Sequence, residues 1–116
     1  MVMTSDRSIS IPPSMSPQDM ASRAAQVADL LKTLAHPARL MLVCTLVERE
    51  HSVSELEEKI DLRQPHLSQQ LTVLRKADIV TTRREGKQIF YRLTEEKAAQ
   101  LVGALYTIFC KEEGEQ

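Results

Sequence analysis

Residues 52–93, SVSELEEKIDLRQPHLSQQLTVLRKADIVTTRREGKQIFYRL, permit few folds, because helical periodicity gives way to strand-like alternation within one short span. Ser54-Glu55-Leu56-Glu57 has the S-x-x-E capping pattern, with Ser52 as an alternative cap to Glu55, and opens a short helix ending near Ile60. Asp61-Leu62-Arg63 reads as the turn. The next helix spans residues 64–76, with Pro65 tolerated in its first turn and Leu67, Leu71 and Leu74 as its inward stripe. Stepping about 100° per residue places Gln69, Thr72 and Lys76 opposite that stripe, flanked by His66, Ser68 and Val73. Residues 79–83 and 88–93 are β-rich runs, alternating at Ile89, Tyr91 and Leu93. Arg84-Glu85-Gly86-Lys87 separates them, Gly86 supplying the positive-φ turn position. Two short helices, a tight turn and a hairpin with a basic tip make a mainly α fold with a small β-hairpin, a helix-turn-helix.

The flanking segments read as its support. Residues 1–15 contain Ser, Thr, Pro12 and Pro13 without periodicity and are expected to be a disordered tail, with a second short tail at residues 114–116 and one domain between, residues 16–113. Ser16-Pro17 starts a first helix with Met20, Ala24, Val27, Leu31 and Leu34 as its stripe, which His36-Pro37 ends. From Pro37 to Glu48 the sequence is apolar nearly all round, so a buried central helix is expected, with Cys44 inside or at the edge of the core. Thr94 is a candidate cap for a long last helix, with Glu95 and Glu96 suited to the positive end of its dipole. Ala98, Leu101, Val102, Leu105, Tyr106, Ile108 and Phe109 form an arc wide enough to suggest burial against a second copy as well as the core, and Cys110 falls at its edge.

A net charge of −1 would argue against nucleic acid if the charge were evenly spread. It is not: residues 62–93 carry seven basic side chains (Arg63, Arg75, Lys76, Arg83, Arg84, Lys87, Arg92) against Asp78 and Glu85, while residues 45–61 are net acidic. Counterion release depends on the cluster that faces phosphate. The longest unbroken apolar run, residues 40–44, is too short to span a bilayer, and no apolar signal core opens the chain, so a cytoplasmic protein without a membrane partner is expected. In that reducing compartment Cys44 and Cys110, which form no CxxC pair, are free thiols by default.

A helix-turn-helix offers its second helix to the major groove, where uncharged side chains that both donate and accept can read base edges. Gln64, His66, Ser68, Gln69 and Thr72 fit that role, and Arg63, Arg75 and Lys76 fit phosphate contacts. Arg83, Arg84 and Lys87 at the hairpin tip suit an adjacent minor groove. A solvated helix face and a charged turn would explain each residue singly; topology and local charge together favour double-stranded DNA. His36, His51 and His66 are scattered, with no His or Cys at the i+4 spacing of a helical metal site, so no metal site and no cofactor is expected. His36 should shape the helix junction.

With LKTLAHPARLMLV, SVSELEEKIDLRQPHLSQQLTVLRKADIV and GKQIFYRL in this order, the chain resembles the ArsR family of winged-helix repressors over residues 21–109. The resemblance implies a winged helix-turn-helix homodimer joined through its first and last helices, which an effector, often a metal, releases from operator DNA. The chain departs from the metal-sensing members: His51-Ser52-Val53-Ser54 stands where they carry a cysteine motif, and the last helix has no His. LVCTLVE and ALYTIFC resemble instead the BigR and SqrR branch, which implies that Cys44 and Cys110 sense reactive sulfur species or oxidants by a disulfide or polysulfide bridge that weakens operator binding. Cys110 is then the expected attacking thiol, since Cys44 should be more desolvated and its thiol pKa raised. The alternatives are a metal-responsive repressor, a winged-helix module for protein contacts alone, and a thiol enzyme. The last lacks a CxxC or a His beside either cysteine.

Overall fold

The computed structural model describes residues 15–111, so the expected tails fall largely outside the described residues. The elements run α1 (Pro17–Leu34), α2 (Pro37–Glu48), β1 (His51–Ser52), α3 (Val53–Ile60), α4 (His66–Lys76), β2 (Val80–Glu85), β3 (Gln88–Leu93) and α5 (Glu96–Tyr106), and a π-helical turn, Thr107–Lys111, continues α5. Leu42 and Leu46 of α2, Leu56 of α3, Leu67, Leu71 and Leu74 of α4, and Ala98 and Val102 of α5 make one aliphatic core with Ile79 and Val80. Burying such side chains stabilises by about 1.5–3 kcal/mol each relative to exposure. The strands form an antiparallel sheet in the order β1-β3-β2, with His51 opposite Tyr91 and Val80 opposite Leu93. Five helices with this hairpin as a wing are a winged helix-turn-helix.

Local chemistry explains the boundaries, and several differ from the sequence reading. Ser52, not Ser54, caps α3. Its hydroxyl accepts from the Glu55 N–H while the Glu55 carboxylate accepts from the Ser52 N–H, a complete capping box. The competing choice fails because residues 51–52 are committed to β1, which was not legible as a strand. His51 is fully buried there: its Nδ1 lies 2.9 Å from the Arg49 carbonyl oxygen, and Nε2 has no partner among the described residues.

The chain enters α4 as expected, since the Leu67 N–H already donates to the Arg63 carbonyl and Pro65 sits in helical geometry. It leaves through a Schellman turn: Ile79 N–H donates to Leu74 C=O and Asp78 N–H to Arg75 C=O, with Asp78 left-handed at φ 61°. Thr94 does not cap α5. Its hydroxyl donates to the Asp78 carbonyl, and Glu95 accepts from Lys97 N–H as the cap instead. Gly86, at φ 64°, makes the turn between strands that extend to Glu85 and resume at Gln88.

Three faces are more open than the sequence suggested. On α1 the stripe Met20, Val27 and Leu31 is exposed and only Leu34 is buried, while Leu30 packs on the core. On α2 one side is buried through Ala38, Leu42, Val43 and Leu46, but Met41, Val47 and Cys44 face outward, so Cys44 lies outside the core. The arc on α5 divides likewise. Ala98 and Val102 are buried, whereas Tyr106, Ile108 and Phe109 are exposed. No single helix among the described residues is long and apolar enough to cross a bilayer, and α1 and α2 are bent by 99°.

Candidate nucleic-acid interface and thiol cleft

The candidate recognition face is the side of α4 and of the turn before it that the leucines leave outward. Gln64, His66, Ser68, Gln69 and Thr72 are all exposed, with Arg63, Arg75 and Lys76 around them. Their hydrogen-bonding capacity is unequal. Ser68 donates its hydroxyl to Gln64 Oε1 and Thr72 donates to the Ser68 carbonyl, so these groups are partly satisfied within the helix. His66 and Gln69 have no side-chain hydrogen bond among the described residues, and the Gln69 amide is free to donate and accept as a bidentate contact to a base requires.

The face is held from behind by a contact that the sequence reading missed. Gln70 is the buried polar residue of α4, at 9% exposure, and its Oε1 accepts from Arg39 NH1 of α2 at 2.7 Å. Arg39 Nε also donates to the Thr33 carbonyl near the end of α1, so one guanidinium joins three helices. A polar residue three after Leu67 and four before Leu74, on the stripe itself, was the available signal.

On the wing, Arg84 and Lys87 flank the turn and are exposed. Arg83 is engaged elsewhere. Its Nε donates to the Glu50 carboxylate at 2.8 and 3.0 Å, NH1 donates to Glu85 at 2.7 Å, and the guanidinium lies 4.5 Å from the Phe90 ring centroid. The bond from Arg83 holds the Glu50 carboxyl below the usual carboxylate range, and the two carboxylates hold Arg83 protonated more firmly than an ordinary guanidinium. Arg83 therefore braces the wing to the loop before β1, and Arg84 and Lys87 are the tip cations that the brace leaves without an ion pair among the described residues.

The two cysteines come together. Cys44 of α2 and Cys110 of the π turn line one cleft between α2, α3 and α5, walled by Leu40, Met41, Leu105 and Phe109. Both residues are exposed as a whole, yet loss of water in the cleft raises the Cys44 thiol pKa, and the nearby Cys110 raises it further. His36 is placed as the sequence implied, its Nδ1 accepting from Ala38 N–H at the start of α2. Among the described residues no three His, Cys, Asp or Glu side chains converge as a metal site would require.

This architecture coincides with known regulators. The family described as "Bacterial regulatory protein, arsR family" matches residues 36–82. The Biofilm growth-associated repressor of Xylella fastidiosa is 69% identical over 101 residues, 87% of this chain and 89% of that protein. The chain belongs to the ArsR family. The repressor of the same name from Agrobacterium fabrum is 70% identical over 94 residues, covering 81% of this chain and 80% of that protein. The crystal structure of the transcriptional repressor BigR from Xylella fastidiosa superposes with a TM-score of 0.77 at 71% identity, covering 83% of this chain and 98% of that one. The ArsR-family chain is thus a DNA-binding transcriptional regulator and not an enzyme.

Proposed function

We propose that this regulator is a homodimeric repressor of cytoplasmic operator DNA whose grip is released when reactive sulfur species or oxidants bridge Cys44 and Cys110. The observation that carries the reading is the convergence of the two thiols in one cleft from elements far apart in sequence. The exposed apolar faces of α1 and of the end of α5 are the surfaces a second copy would cover. In such a dimer the two α4 helices must meet successive major grooves about 34–36 Å apart, so a bridge that shifts α2 against α5 can lower affinity without unfolding anything. Burial raises the Cys44 thiol and so disfavours its thiolate, and Cys110, at the exposed end of the last helix, is taken as the first nucleophile.

On DNA, Gln69 and His66 read bases, with Gln64, Ser68 and Thr72 beside them. Arg63, Arg75, Lys76, Arg84 and Lys87 hold phosphates or the minor groove, and Arg83 acts by keeping the wing in place. Gln69→Ala should weaken specific binding by about 1–3 kcal/mol and relax discrimination at particular bases, whereas Arg84→Ala should weaken all duplexes and lower the salt slope by about 1. Equal loss on specific and random DNA for Gln69→Ala would remove its base-reading role.

The deciding experiment is intact-protein mass spectrometry after persulfide or peroxide treatment, paired with binding to DNA upstream of its own gene. Bridging must track DNA release, and Cys44→Ser and Cys110→Ser must each abolish both. Release that persists in the double Cys-to-Ser variant would refute the thiol switch.

A further inference from the structure

The cleft around the thiols has a chemical character of its own. It is a space of about 520 Å³ whose walls, Leu40, Met41, Leu105 and Phe109 among them, are mostly apolar. The Thr45 hydroxyl at its edge is already donated to the Met41 carbonyl. Lys59, from the last turn of α3, is the one charged side chain lining it among the described residues, and it also lines the adjoining lobe, where Cys44 and Glu48 are its neighbours. Lys59 makes no ion pair within 4.0 Å among the described residues. An unpaired cation on an apolar wall beside two thiols is placed to meet an anion with an apolar body.

We infer that Lys59 makes this cleft select anionic over neutral sulfur donors, holding the terminal charge of a polysulfide anion while its uncharged sulfur atoms lie along the apolar wall between Cys110 and Cys44. This rests on the sulfur-sensing reading above and adds a specificity-determining residue to it. The chemistry balances with the polysulfide as the only oxidant. In HS–S–S–S⁻, with its charged end at Lys59, the Cys110 thiolate attacks the inner sulfur next to the SH end; the central S–S bond breaks, S₂²⁻ leaves with its electron pair and takes a proton from water to become HSS⁻, and Cys110–S–S–SH remains. The Cys44 thiolate then attacks the sulfur next to Cys110 Sγ, HS⁻ departs, and a trisulfide joins the two residues. Lys59 does not enter among the influences on the Cys44 thiol, which are burial and Cys110. Its part is to position the incoming anion rather than to activate the nucleophile.

The test compares an anionic with a neutral sulfur donor on the full-length reduced protein. Thiol loss is followed by mass spectrometry with sodium tetrasulfide and with dimethyl trisulfide, for wild type, Lys59→Gln, Lys59→Glu and Lys59→Arg. Lys59→Gln should slow the tetrasulfide reaction by about threefold to tenfold, the scale of one close unit charge in a partly screened site. Lys59→Glu should slow it further, Lys59→Arg should restore it, and dimethyl trisulfide rates should stay within about twofold throughout on the same electrostatic argument. Raising the salt should slow tetrasulfide for wild type and leave Lys59→Gln unchanged. If the variants lose speed with both reagents, or with neither, the selective role of Lys59 is overturned while the thiol switch stands. If the wild-type thiols do not react with tetrasulfide, or bridge without changing DNA binding, the sensing reading falls as well.

Discussion

The bond between Arg39 and Gln70 can be broken from either side, and the two breaks should not be equivalent. Arg39→Met removes two charge-assisted donations, to Gln70 Oε1 at 2.7 Å and to the Thr33 carbonyl, and leaves the Gln70 amide at 9% exposure without its partner. A hydrogen bond to a charged group contributes about 1.5–3 kcal/mol, and a buried acceptor left bare costs about 1–3 kcal/mol, terms that overlap rather than add. Thr33 is only half-buried, so water can replace the donor to its carbonyl. A loss of about 2–3 kcal/mol is therefore expected for Arg39→Met. Gln70→Leu should cost less, about 1 kcal/mol, because half-buried Arg39 keeps Thr33 and reaches solvent while leucine joins the neighbouring core. With both substitutions, two apolar side chains face each other and nothing polar is orphaned. The double variant should thus be more stable than the sum of the singles predicts by about 1–2 kcal/mol. Urea unfolding of the four proteins at one fixed protein concentration measures this, since assembly would make stability depend on concentration. Additivity within about 0.5 kcal/mol would refute the contact as an energetic link between α2 and α4.

Three further outcomes follow from local geometry. Ser52→Ala should destabilise by about 1 kcal/mol in urea unfolding by deleting the α3 cap, while Ser54→Ala should change little; the reverse order would return the cap to Ser54. Because Arg83 lowers the folded pKa of Glu50, their bond stabilises above the ordinary carboxylate range and is lost as pH falls through the lower folded value. Arg83→Met should therefore move the Glu50 titration, followed by NMR, upward toward the ordinary value, and an unmoved midpoint would remove the brace. Asp78→Gly should stabilise by about 1 kcal/mol in urea unfolding, since the left-handed Schellman position at φ 61° strains any residue with a Cβ; a loss would mean that the aspartate side chain contributes more than the strain.

Periodicity made α1, α2, α4 and the hairpin legible, because repeats of leucine and alternation of β-formers are properties of single segments. What it missed depends on pairs distant in sequence. β1 is two residues long and exists only because Tyr91 and Phe90 lie opposite His51 and Ser52, and that pairing in turn moved the α3 cap from Ser54 to Ser52. Arg83 looked like a free tip cation until the fold brought Glu50, thirty-three residues away, against it. Cys44 looked internal because α2 is apolar on nearly every side, yet burial of that helix is one-sided in the single chain. The uncharged outward face of α4 was read correctly, but which of its groups are free emerged only from the bonds among Gln64, Ser68 and Thr72.

The position of α2 unites these observations. Arg39 and Cys44 lie on it five residues apart, about 7.5 Å along the axis and about 140° around it, so they project from different sides of one rigid rod. One side carries the thiol that faces α5 and the π turn; the other grips the buried Gln70 amide of α4. A tilt of this rod toward Cys110 would strain the Arg39–Gln70 bond or carry α4 with it. Packing density in the shared core leaves little slack to absorb the motion elsewhere. On the proposed thiol switch, the coupling of about 1–3 kcal/mol typical between linked sites should then shrink in Gln70→Leu, with DNA affinity of the reduced protein falling less than the response to bridging. Undiminished release by polysulfide in that variant would show that the bridge reaches the DNA through α5 and the proposed dimer contacts, and not through α2.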